Sequence, residues 1–170
     1  MKRILPAMIA FACALFASGC DRQGNPIQEF GLDKLARGVS SEADVRMVMG
    51  KPDTVWEEED GSRRLEYPKG PAGHRTWFFD IGKDGKLQEY RQVLTEENFS
   101  HIQPGMSKDA VRRQLGRPLS VVQFKRKNEE VWDWRYMDPT MTPRLFNVHF
   151  DIASGKVARI SGSPDPQHAS

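Results

Sequence analysis

Apolar and polar positions along this chain fall into one pattern that occurs twice. In the stretch 32–52 (LDKLARGVSSEADVRMVMGKP), Leu32 and Leu35 stand three apart ahead of Gly38, as one face of a single helical turn requires. Ser40 or Ser41 then offers an N-cap, and Glu42 and Asp44 place negative charge in the first turn of a helix. Val45, Val48 and Met49 recur at i, i+3 and i+4 as its apolar stripe. Gly50 can take the left-handed conformation at the helix end, and Pro52 prevents continuation. The stretch 99–118 (FSHIQPGMSKDAVRRQLGRP) repeats this order. Phe99 and Ile102 precede Gly105, Ser107 caps, Val111 and Leu115 form the stripe, and Gly116 and Pro118 stop the helix. One extra residue is needed in the first copy between Gly38 and Val45.

Period-two runs follow each helix and predict strands. In the first copy these are 54–59 and 63–67 around the Asp60-Gly61 turn, then 75–81 and 86–94 around Asp84-Gly85. Trp77, Phe79 and Ile81 share one face. In the second copy the runs are 120–125 and 131–137, then 146–152 and 156–160, with Phe146, Val148, Phe150 and Ile152 on one face. Phe79-Asp80-Ile81 and Phe150-Asp151-Ile152 align the copies at the second hairpin. The expected fold is α+β: two tandem copies of a helix pair plus a three- to four-stranded antiparallel meander, spanning 30–94 and 95–162. A unit of about 65 residues has a marginal core alone, so the copies are expected to share an interface or a sheet. The polar C-terminal run Ser161–Ser170 lacks periodicity and reads as disordered, the tail proper being 163–170.

The first nineteen residues follow another logic. Lys2 and Arg3 precede an apolar run from Ile4 to Phe16, too short for a membrane span, and small residues lead to Cys20: a secretory signal. Removing it takes the formal net charge from +2 to zero, which leaves no electrostatic case for nucleic acid. It also removes Cys13, so Cys20 is the single mature cysteine and has no internal disulfide partner. Ala-Ser-Gly-Cys resembles the lipobox of bacterial lipoproteins, with Ala17 where Leu is usual. The resemblance implies that Cys20 is the lipid-attachment residue, anchored through acyl chains worth about 0.8 kcal/mol per buried methylene. Residues 20–29 then serve as a polar tether. Asp21 resembles the inner-membrane retention residue of enteric lipoproteins, so an inner-membrane location competes with a narrowly favoured outer-membrane one.

The candidate chemistry is sparse. Asp80 and Asp151 sit at matching places, where each is expected to end a strand and accept backbone hydrogen bonds in the following turn. His74, His101, His149 and His168 are scattered, with no metal-ligand spacing, and no serine lies in a nucleophile elbow. No catalytic, cofactor or metal residue is assigned. Trp132, Trp134 and Tyr136 alternate along one strand and read as a core face rather than a ligand stripe. Lys125-Arg126-Lys127 reads as a solvated hairpin tip, offset by Glu129 and Glu130.

The string Leu94-Thr95-Glu96-Glu97-Asn98-Phe99…Ile102-Gln103-Pro104-Gly105-Met106-Ser107…Val111…Leu115-Gly116-Arg117-Pro118, with the Phe150-Asp151-Ile152…Gly155-Lys156-Val157 hairpin, resembles the SmpA/OmlA family of small outer-membrane lipoproteins. That family includes the BamE component of the outer-membrane protein assembly machinery. The resemblance covers roughly 95–160 well and 32–90 less well. It implies a helix pair on a three-stranded antiparallel sheet. It also implies a non-enzymatic accessory role, with envelope or outer-membrane assembly proteins as partners and the membrane reached through the acyl chains. The doubling departs from the assembly factor's single unit, and its layout is similar to that of the beta-lactamase inhibitor proteins. A periplasmic enzyme inhibitor or client-binding module is therefore the alternative.

Overall fold

The computed structural model describes residues 31–69 and 73–167; the signal, Cys20, the tether to Glu29 and His168 lie outside them. Two four-stranded antiparallel meanders are present, each introduced by short helical segments, so the α+β expectation holds with four strands per sheet. Leu32–Lys34 form a single 3-10 turn and Glu42–Met49 form helix α1. Strands β1 (Thr54–Glu57), β2 (Arg63–Pro68), β3 (Thr76–Ile81) and β4 (Leu87–Gln92) follow in sequential order. Helices α2 (Glu96–Ser100) and α3 (Lys108–Leu115) then lead to β5 (Ser120–Phe124), β6 (Glu129–Met137), β7 (Pro143–Asp151) and β8 (Val157–Pro164). The first member of each helix pair is only a turn or so, because Gly38 and Gly105 bend the chain at positive φ.

Local chemistry explains the helix ends. Ser41 closes a capping box with Asp44, and Ser107 accepts from the Ala110 amide at 3.2 Å. The two units repeat the same backbone hydrogen bonds. Gly38 N donates to the Leu87 carbonyl at 2.7 Å, as Gly105 N does to the Val157 carbonyl at 2.8 Å. Isolated bridges Ser41–Lys86 and Ser107–Lys156 are likewise matched.

The Phe-Asp-Ile alignment, however, is two residues out of register. Each β-bulge falls one position before the core residue that pairs with the next strand. This makes Ile81 (bulge after Asp80, pairing Leu87) the counterpart of Phe150 (bulge after His149, pairing Val157). The counterpart of Asp80 is thus His149. Asp151 ends β7 opposite Glu129 and, as expected, accepts from the Ser154 amide of the following turn at 2.7 Å; the turn itself is one residue longer in the second unit.

Alternation along β2 and β3 distributes their side chains to two layers. Leu65, Tyr67, Trp77, Phe79 and Ile81 pack with Leu32, Leu35, Val45 and Leu87 under α1. The intervening Arg64, Glu66, Phe78 and Asp80 point the other way, onto the second unit. Phe78 is fully buried in the cluster built from Val111, Leu115, Trp134, Val148 and Phe150, which Val93 and Leu94 also join. α3 therefore lies between the two sheets, and the layers run helix, sheet, helix, sheet.

The C-terminal run departs from the sequence expectation. β8 continues through Pro164, and Asp165 is buried against Arg135 at 2.7 Å. Its polar composition conceals an edge strand fastened by one ion pair.

Candidate protein-binding surface

The junction between the sheets centres on one buried carboxylate. Glu66 is completely buried and accepts from Arg112 Nη1 at 2.5 Å and from the Arg117 amide at 2.6 Å. Trp56 Nε1 also donates to it, at 3.3 Å. Gly116, at φ +75°, caps α3 directly above: an added Cβ would meet Thr76 Cγ2 at 2.8 Å and Glu66 Oε1 at 3.0 Å. Only glycine permits that approach. Arg113–Glu58 at 3.1 Å and Arg117–Asp53 at 2.8 Å flank it.

Asp80 also belongs to this junction, which corrects the turn-capping expectation. Arg64 Nε and Arg91 Nη1 donate to its two oxygens at 2.6 and 2.5 Å. Burial would raise its pKa, but the hydrogen bonds and charges of Arg64 and Arg91 outweigh that and hold it below the usual carboxylate range. A carboxyl depressed by folding contributes stability above its unfolded pKa, and that contribution is lost as pH falls through the lower folded value. Thermal melts between about pH 5 and pH 2 are thus expected to show a loss that Asp80→Asn reduces, the variant starting less stable at neutral pH.

The face of the second sheet that corresponds to this junction is occupied by its own side chains. Asp133, in the place of Glu66, accepts from Ser120 Oγ at 2.6 Å and Asn147 Nδ2 at 2.5 Å. Asn147 stands where Phe78 enters the neighbouring core, so the second sheet closes where the first receives a helix. His149 joins the same network, through Nδ1 to Glu129 at 2.9 Å and Nε2 to Ser161 at 2.8 Å. The sequence did not flag this trio, because its members lie on three strands and meet only through register. The order carboxylate, imidazole, hydroxyl has the distances of a hydrolytic triad. Yet Ser161 sits mid-strand in β8, and no helix follows β8 among the described residues to aim backbone donors at a developing oxyanion.

Trp134 and Tyr136 are buried and Trp132 packs against that core, so the aromatic stripe is structural. Asp80 and Asp151 differ in role, the one at the junction and the other at a strand end, capping the turn that follows. Between the units opens a cleft of about 300 Å3, lined in part by Arg75, Thr76, Leu94, Arg117, Leu119 and Trp134. No group of histidine, cysteine and carboxylate side chains suited to a metal ion occurs among the described residues.

The longest exposed run among the described residues is β5 and its hairpin tip. Residues 121–128 are all exposed, and Leu119, Val121, Val122 and Phe124 present large apolar side chains within six residues. β5 pairs with β6 alone, so its outer edge is open. Lys125, Arg126 and Lys127 form the tip as a single 3-10 turn. Glu129 and Glu130 do not offset these cations as expected. Glu129 is held by His149 and Arg159, and Glu130 by Lys108, Gln123 and Trp132. An open apolar edge beside concentrated charge suits a protein partner.

Residues 92–161 match the family model described as the outer membrane protein assembly factor BamE domain. The match falls on the second unit. It begins in β4, includes α2, α3 and the second meander, and ends in β8. The matched segment thus takes in Val93 and Leu94, which the structure places in the second core. The match leaves residues 31–91 of the first unit outside it.

No curated protein matches the chain significantly. Similar solved structures include YjgB, a DUF4309 family protein of Bacillus subtilis, at 17% identity and TM-score 0.29, covering 77% of this chain and 82% of that one. An extracellular protein of Bacillus anthracis containing an SCP domain is 11% identical at TM-score 0.31, covering 85% of this chain and 49% of that one. A Streptococcus mutans protein described as a candidate beta-lactamase inhibitor is 12% identical at TM-score 0.30, covering 73% and 82%. No helix among the described residues is long and apolar enough to cross a membrane.

Proposed function

We propose that the protein is a lipid-anchored, non-catalytic accessory factor of the bacterial envelope that faces the periplasm and supports outer-membrane protein assembly through protein contacts. The BamE-domain match over 92–161 is the observation that carries this reading. The N-terminal sequence supports the anchor: a short apolar signal, small residues, then the single mature cysteine, Cys20. Acylation there and a tether from 20 to 29 would hold the folded layers at the membrane surface. We place the anchor in the outer membrane, in keeping with the domain, with Asp21 as the residue that would redirect it. On this reading the first unit is a divergent second copy of the same domain, and its sheet supplies a rigid seat for α3.

The anchor is testable directly. Mass spectrometry of the N-terminal peptide from the native protein is expected to show diacylglycerol and an amide-linked acyl chain on Cys20. Cys20→Ser should move the protein from membrane to soluble periplasm. An unmodified Cys20, or a wild-type protein already soluble, would overturn the anchored reading.

A further inference from the structure

The open edges of the two sheets carry opposite charge at equivalent positions. Thr54 pairs with Glu66 as Ser120 pairs with Asp133, which sets β1 and β5 in correspondence and places Glu59 and Asp60 where Lys125 and Arg126 stand. β1, like β5, is an edge strand with one partner. Its Val55 is exposed, as are Glu57, Glu59 and Asp60 at its tip, while Glu58 is tied to Arg113. On β5 the exposed side chains are aliphatic or aromatic except Gln123, which donates to Glu130, and the tip is cationic. Lys125, Arg126 and Lys127 form no ion pair among the described residues, and Lys127 lies only over the Phe124 ring, at 5.9 Å.

We infer that the β5 edge is a docking surface for a second copy of this chain. The second copy adds its β1 edge alongside β5, with strands parallel and the acidic tip on the basic one. The backbone supplies hydrogen bonds by strand addition, and Val55 meets the apolar side chains of β5. Charge decides which edges pair. Two β5 edges set parallel would bring Lys125–Lys127 onto themselves. Set antiparallel about Val122, they would place Lys127 opposite Arg117, with Pro118, which has no N–H, opposite Arg126. Two β1 edges set parallel would oppose Glu57 and Glu59 to themselves. The parallel β1–β5 combination instead brings Glu59 and Asp60 onto Lys125 and Arg126. Each chain carries one edge of each kind, and the inferred two-fold pair makes the contact twice. The inference stands whether or not the protein serves outer-membrane assembly.

Sedimentation equilibrium of the full chain in density-matched detergent tests it. Wild-type protein is expected to form a reversible dimer that weakens as salt is raised. A basic-tip variant (Lys125→Glu, Arg126→Glu, Lys127→Glu) and an acidic-tip variant (Glu57→Lys, Glu59→Lys) should each dimerise at least about tenfold more weakly, about 1.4 kcal/mol. Mixing the two in equal amounts should restore dimers, because each then meets its opposite. Circular dichroism melts confirm that both variants fold. A wild type that stays monomeric, dimers insensitive to salt, a variant that dimerises like wild type, or a mixture of folded variants that stays monomeric would each overturn the inference.

Discussion

Arg112→Ala is expected to lower the unfolding free energy by about 3–5 kcal/mol, among the largest effects any single substitution has here. Arg112 lies on α3 and Glu66 on β2, so their 2.5 Å pair joins the second unit to the first. Removing the arginine leaves a completely buried carboxylate with only the Arg117 amide and the Trp56 indole as donors. The same change removes the guanidinium from over the Trp56 ring, 5.3 Å away, and its contact with Thr54 Oγ1 at 3.2 Å. Replacing both partners with uncharged groups of similar shape (Arg112→Met with Glu66→Gln) should cost less than the sum of the single changes. Urea unfolding of the four proteins provides the cycle. Additive costs would show that the pair does not hold the units together.

Phe78→Ala is expected to cost about 3–5 kcal/mol, and to show its effect in the other unit. The side chain leaves β3 of the first sheet and fills the core of the second, among Leu115, Trp134 and Phe150. Deleting it opens a cavity beneath α3 and uncovers a surface over which Arg64 and Arg91 now lie at 5.2 and 5.9 Å. Hydrogen exchange should therefore report lost protection in β6 and β7 as well as β3, with both sheets unfolding in one transition. Loss confined to β1–β4 would contradict a shared core.

These two residues also mark where sequence reading reached its limit. Caps, stops and strand alternation were legible because they are local. Ser41, Ser107, Gly50 and Gly116 act on their own helices, and Trp77, Phe79 and Ile81 declare a face by period two. The second face of β3 was not legible, since Phe78 and Asp80 read as an outward face until α3 is laid against them. For the same reason nothing in the sequence singles out Glu66. The Phe-Asp-Ile match misled because identical residues occupy different places: Ile81 still pairs in the sheet, whereas Ile152 has already entered the turn. Asp165 escaped notice because one buried ion pair to Arg135 orders a segment whose composition is that of a tail. On the candidate surface, the cationic run at 125–127 was visible in the sequence. That Glu129 and Glu130 turn away from it depends on His149, Arg159 and Lys108, which only the folded register brings near.

The most direct test of the functional account is in-cell crosslinking of the native, lipidated protein followed by quantitative mass spectrometry of what it captures from separated membranes. The account predicts recovery in the outer-membrane fraction, with proteins of the outer-membrane assembly machinery enriched above other envelope proteins. It also predicts that Cys20→Ser sharply reduces that enrichment. Recovery outside the envelope, or an outer-membrane fraction in which assembly proteins are no more abundant than in an uncrosslinked control, would contradict it.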